Sequence, residues 1–161
     1  MQENAKLCLV ASRGGHLQQL LNLSEVYMEY RHFFITAKTS QNRHVDFGVG
    51  SAYLLDDLSD GRAIKNPVKF LLALYQTAGI FAREKPDLVF STGSGDALPS
   101  FILAFILRIP SVYIESYTRI GELSKTGQIC YYLASSFFVQ HKSLIVKYPR
   151  ALFAGSVYNE I

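Results

Sequence analysis

Three clusters in this 161-residue chain have residue types and spacings suited to chemistry. Two are short loops, Ser12-Arg13-Gly14-Gly15-His16 and Thr92-Gly93-Ser94-Gly95-Asp96, each preceded by an apolar run and followed by a helical one. Glycine lets an anion approach the main chain, and the first amides of a helix lack acceptors of their own. Two such loops on one crevice suit a diphosphate. The hydroxyls of Ser12, Thr92 and Ser94 would add donors and Arg13 would add charge. The competing reading is that the glycines only make tight turns. His16 stands at the head of a helix, where the macrodipole disfavours the imidazolium. A neutral ring there is poised to accept a proton, unless the histidine only caps the helix. The third cluster is Tyr113-Ile114-Glu115-Ser116. Its Glu115 closes a strand, so its carboxylate is expected at the rim of the same crevice, either to orient a sugar hydroxyl or to hold His16 or a loop in place. Asp96 reads first as a helix-start residue favoured by the dipole. Asp96 and Ser116 are secondary candidates for ligand contact.

Other chemistries fit poorly. Neither loop spells G-x-G-x-x-G, and Thr36-Ala37-Lys38 stands where a dinucleotide site places an acid after the second strand. No G-x-x-x-x-G-K-[ST] occurs. No carboxylate cluster or D-x-D pair calls for a metal, and no cofactor is expected. Cys8 and Cys130 have no ligand spacing and fall in apolar stretches, as buried thiols do. His32, His44 and His141 have no setting comparable to that of His16. A net charge of +3 tolerates a phosphate or an anionic membrane surface but gives no nucleic-acid footprint.

The elements that must position these residues follow from periodicity. Apolar residues make up 49% and charged residues 18% of the chain, enough for a packed core. Short β-branched or aromatic runs alternate with longer helical ones, as in βαβ units on a parallel sheet. Strands are predicted over Leu7–Ala11, His32–Thr36, Ser51–Leu55, Leu88–Ser91, Ser111–Ile114, Ser136–Val139 and Leu152–Ala154. Helices are predicted over Leu17–Met28, Pro67–Lys85, Ala97–Leu107 and Thr126–Ala134, with loops over Lys38–Gly50 and Asp56–Asn66. The fold class is α/β: a Rossmann-like, open, mostly parallel sheet with helices on both faces, forming a single domain over residues 1–161. If the first and fourth strands are neighbours, both glycine loops open on one crevice at the carboxyl ends of the strands.

Taken in order, these motifs resemble a known family, together with Pro86-Asp87-Leu88, Phe138-Val139-Gln140 and Tyr148-Pro149-Arg150-Ala151. It is the membrane-anchoring subunit family of the split dolichyl-diphosphate N-acetylglucosamine transferase, with its PssD-like relatives in capsule and exopolysaccharide synthesis. A more distant likeness runs to the N-terminal domain of MurG-type transferases. The resemblance implies the N-terminal, acceptor-binding half of a GT-B glycosyltransferase. A separate donor-binding subunit would hold the UDP-sugar, and the acceptor would be a polyprenyl-diphosphate-linked sugar. The alternative is a non-catalytic enhancer that recruits an active partner. The last predicted strand ends where an interdomain linker would begin. Eukaryotic members carry an N-terminal membrane helix, whereas this sequence starts close to its first strand. Peripheral contact with the cytoplasmic membrane face is therefore expected from Phe101–Leu107, or from Val68–Phe81 with Lys65, Lys69 and Arg83 nearby. Both helices would alternatively just cover the sheet.

Overall fold

A computed structural model describes residues 4–38, 51–58 and 66–158. Its centre is one seven-stranded, all-parallel sheet in the order β3-β2-β1-β4-β5-β6-β7. The strands are β1 (Lys6–Val10), β2 (Arg31–Ala37), β3 (Ser51–Leu55), β4 (Leu88–Ser91), β5 (Ser111–Ile114), β6 (Ser136–Val139) and β7 (Leu152–Phe153). After Lys6, central β1 is a continuous apolar run from Leu7 to Val10, as befits a strand covered on both faces. The chain leaves β1 toward β2 and later returns to β4 on its other side, with Val10 beside Ser91. Both glycine loops therefore emerge side by side at the carboxyl end of the sheet, where ligands bind in this class of fold.

Alternation along the strands separates two cores. Cys8, Val10, Val89, Tyr113, Phe137 and Val139 face a layer made by α3 (Pro67–Glu84), α4 (Ala97–Leu107) and α5 (Lys125–Leu133). Leu7, Leu9, Phe34 and Phe90 face the thinner layer of α1 (Gly15–Leu21) and α2 (Ser24–Tyr27). The single helix expected over Leu17–Met28 is thus two. The hydrogen bond from Leu23 N to Leu20 O tightens the last turn of α1, and Leu23 leaves the helical conformation. Asn22 and Ser24 hold the helical state weakly. The break lets Tyr27 pack edge-on against Phe34 and His32.

α3 follows its signals closely. The Asn66 side chain caps the amides of Val68 and Lys69, Pro67 opens the helix, and Lys85 ends it with a φ of 48° before Pro86. A short α6 (Ser143–Lys147) was not legible in the sequence, since five residues show no periodicity. The predicted loops lie mostly outside the described residues, Lys65 among them.

The two candidate membrane helices differ. Phe101 and Ala104 of α4 are buried against the sheet. The exposed Phe105, Ile106 and Leu107 close the helix at the amino end of the strands, away from the glycine loops. α3 runs the same way: its last residue, Glu84, pairs with Lys6 at the start of β1. Its first turns therefore lie at the crevice end. There Val68 (73% exposed), Leu71 and Tyr75 (79% exposed) recur at helical spacing on one open face. Among the described residues no helix is long and apolar enough to cross a membrane.

Candidate functional site

The loops beyond β1 and β4 are clamped to each other. His16 Nδ1 lies 2.9 Å from the Thr92 carbonyl oxygen. A carbonyl only accepts, so Nδ1 carries the proton and donates it. Nε2 is left with its lone pair, and no residue described here engages it. In return the Thr92 hydroxyl donates to the His16 carbonyl at 2.7 Å. Gly93 makes room for this arrangement. Its φ is 107°, and a Cβ there would stand 3.0 Å from both Nδ1 and Cε1 of His16. Gly93→Ala should push the ring off the Thr92 carbonyl. We expect about 1–3 kcal/mol of lost stability from the strained backbone, measured by denaturant melts.

The crevice between the loops and the start of α5 has a volume of about 850 Å³. Ser12, Arg13, His16, Ser94 and Gly95 line one side, and Ser116, Thr118, Arg119, Ser124 and Lys125 the other. Of the predicted ligand contacts, Ser12, Arg13, His16, Ser94, Gly95 and Ser116 are thus brought together. Gly14 and Gly15 make the turn into α1.

Several donors turn elsewhere than expected. The Thr92 hydroxyl is spent on His16, and the Gly93 amide donates to Ser91 Oγ at 3.0 Å. Ser94 has a left-handed φ of 86°. Its hydroxyl accepts from the Asp96 amide and lies 3.4 Å from that carboxylate. Asp96 is buried and accepts the Leu58 amide at 2.7 Å, tying the chain after β3 to this loop. Burial pushes its carboxyl upward, and the charge of Asp57 adds to this; the Leu58 amide and the Ser12 and Ser94 hydroxyls oppose it. Ser12 Oγ lies close enough to bias the Asp96 carboxyl but completes no hydrogen bond with it or any other described group. Arg13 pairs with Asp57 at 3.5 Å.

Glu115 departs most from a rim position. It is 0% exposed and turned inward. One carboxylate oxygen accepts the Ser116 amide at 2.8 Å. The other accepts the amide and hydroxyl of Ser124 at 3.0 and 3.1 Å. Ser124 in turn caps α5 by accepting the Gly127 amide at 2.9 Å. Glu115 therefore holds both ends of the 116–124 loop, the second of its two sequence readings, and touches no space open to substrate. Burial pushes its carboxyl upward, while these hydrogen bonds and the Arg119 charge oppose the rise. Gln140 completes the frame. Its amide nitrogen donates to the Glu115 carbonyl at 2.9 Å and to Gln19 at 2.8 Å, and its oxygen accepts the Val157 amide at 2.9 Å.

Sequence reasoning missed Thr118, Arg119 and Lys125. The available signal was Ser124 three residues before Gly127, a helix start that places Lys125 in the first turn.

A parallel sheet in this order, with its crevice at the β1/β4 switch, defines a Rossmann-like domain. A family model described as "Oligosaccharide biosynthesis protein Alg14 like" matches residues 59–157, more than half of the sequence. The chain belongs to the Alg14-like family. It is 27% identical to the human "UDP-N-acetylglucosamine transferase subunit ALG14" over 97% of this chain and 84% of that protein. It is 30% identical to a Prochlorococcus marinus pyrophosphoryl-undecaprenol N-acetylglucosamine transferase over 57% of this chain and 25% of that one. Among solved structures, Acinetobacter baumannii MurG superposes with a TM-score of 0.72 at 19% identity, covering 86% of this chain and 42% of that one. A UDP-N-acetylglucosamine 2-epimerase from Rickettsia bellii gives a TM-score of 0.72 at 14% identity, covering 96% and 45%. The chain thus spans less than half the length of either structure.

Proposed function

We propose that this chain is the acceptor-binding subunit of a two-component inverting glycosyltransferase. The observation that carries the reading is the free Nε2 of His16 at the crevice, fixed as a proton acceptor by the Thr92 carbonyl. A hydroxyl of a polyprenyl-diphosphate-linked sugar attacks the anomeric carbon of a UDP-sugar. The new C–O bond forms as the bond to UDP breaks, and His16 takes the hydroxyl proton. A partner subunit holds the UDP-sugar. Relatives named as subunits of a UDP-N-acetylglucosamine transferase support this donor class. Glu115 is a positioning residue that shapes the crevice wall. The open face of α3, at the crevice end of the sheet, rests on the cytoplasmic face of the membrane with Lys69 beside it.

The test is transfer from a panel of UDP-sugars to lipid-linked acceptor in vesicles, by this chain, its partner and the two together. Turnover by the pair alone is the expected result. Turnover by the partner alone, merely enhanced by this chain, would reduce the chain to a recruiter. Replacing Val68, Leu71 and Tyr75 by serine should abolish transfer in vesicles and spare it on a short-chain acceptor in solution. Unchanged transfer in vesicles would refute the α3 contact.

A further inference from the structure

We propose that the diphosphate in this crevice is held by the wall opposite the glycine loops, by Arg119, Lys125 and the first amides of α5. Most side chains of the glycine loops are already committed. The Thr92 hydroxyl, the Gly93 amide and the Ser94 hydroxyl all make internal hydrogen bonds, and Arg13 is paired with Asp57. The facing wall is in the opposite condition. Arg119 and Lys125 have no ion-pair partner among the described residues, and Glu122, the acid on that wall, is neutralised by Lys147. The wall therefore presents two cations without an ion-pair partner to one crevice, with the Glu115 carboxyl, which feels the Arg119 charge, buried behind them.

The backbone there is equally unspent. α5 is nine residues long and starts at the crevice. Glu115 takes the Ser124 amide and Ser124 Oγ takes the Gly127 amide. The amides of Lys125 and Thr126 are left with no acceptor among the described residues, as expected in a first helical turn. An independent sign of a missing ligand comes from Ser12. It is 1% exposed, lines the same crevice, and its Oγ has no hydrogen-bond partner. A buried hydroxyl left unpaired is costly, and an anion oxygen would satisfy it. Two phosphoryl groups suit two cations, two amides and a hydroxyl better than one does.

The inference rests on the acceptor reading above, and a diphosphate can reach the crevice either on a lipid-linked sugar or on a nucleotide sugar. The experiment separates these. Inorganic pyrophosphate is titrated calorimetrically into the full chain, with orthophosphate for comparison. Pyrophosphate should bind more tightly than orthophosphate. Arg119→Gln and Lys125→Gln should each weaken it about ten- to hundredfold, the range of a charge-assisted contact. Lys142→Gln, outside the crevice, should change it less than about twofold. Circular dichroism melts confirm that each variant is folded. No pyrophosphate binding, or binding lost on Arg13→Gln and kept by Arg119→Gln and Lys125→Gln, would overturn the proposal. Farnesyl diphosphate and UDP then compete for the site. Displacement by farnesyl diphosphate and not by UDP assigns the wall to the lipid-linked acceptor. Displacement by UDP alone would overturn the acceptor reading and leave the wall as the diphosphate site.

Discussion

His16→Ala, assembled with the donor-binding partner, is expected to transfer sugar about 10²–10⁴ times more slowly than wild type, the usual worth of a general base. The argument is geometric. The Nδ1 proton is committed to the Thr92 carbonyl, so Nε2 is the ring's proton acceptor, and it lines the crevice. As the proposed base, the ring would contribute to the chemical step more than to acceptor affinity. The loss should therefore fall on kcat, with KM for the lipid acceptor changed only a few-fold. His16→Gln keeps a donor for the Thr92 carbonyl but offers no basic nitrogen, and should not restore the rate. Turnover left intact in either variant complex would remove the base role and leave His16 as a clamp between two loops.

Glu115→Ala should be the most destabilising single truncation at the site. It strands the buried Ser116 amide and the half-buried amide and hydroxyl of Ser124. At about 1–3 kcal/mol for an orphaned donor, and with some relaxation, we expect a loss of about 3–5 kcal/mol in urea unfolding. Gly127→Ala reaches the same frame from the other side. A Cβ at 127 would stand 1.9 Å from Glu115 Oε2, so the first turn of α5 and the carboxylate cannot both keep their places. The pH dependence has a definite sign. Burial raises the folded-state value for Glu115 above that of the unfolded chain. Its contribution to stability is then full below the unfolded carboxylate range and is lost as pH rises through the raised value. Asp96 is shifted the same way and adds to the slope. Glu115→Gln should flatten the fall in stability above about pH 4 that the wild type shows. A wild-type profile that rises with pH there would contradict the assignment.

The seven strands and the two glycine turns were legible because each rests on hydrophobic alternation and turn residues, whereas the meeting of the two loops followed only once β1 and β4 were assumed to be neighbours, as they are. Side-chain direction beyond the strand ends was harder to read. Glu115 was expected at a rim because it closes a strand. Yet the period of two puts it on the same face as Tyr113, which faces the α3–α5 layer. That alternation was available in the sequence and would have turned the carboxylate inward. The hydroxyls of Thr92 and Ser94 are a different case. Their partners, the His16 carbonyl and Asp96, are set by how two loops meet in space, and no spacing encodes that. The Arg119–Lys125 wall was overlooked because Arg119 sits in an irregular stretch and Lys125 at the helix start that follows it, and Glu115 fixes the position of both ends of that stretch. The break between α1 and α2 follows from packing of Tyr27, which outweighs a helical pattern running through it.

The acceptor that orients His16 belongs to the main chain of residue 92, just beyond β4. No substitution at that position can delete it. Thr92→Val would take away the return hydrogen bond and leave the carbonyl in place. The ring's tautomer is inherited from the alignment of β1 with β4, so mutational drift at residue 92 is buffered. A one-residue slip between these two strands, with every side chain intact, would disable the site.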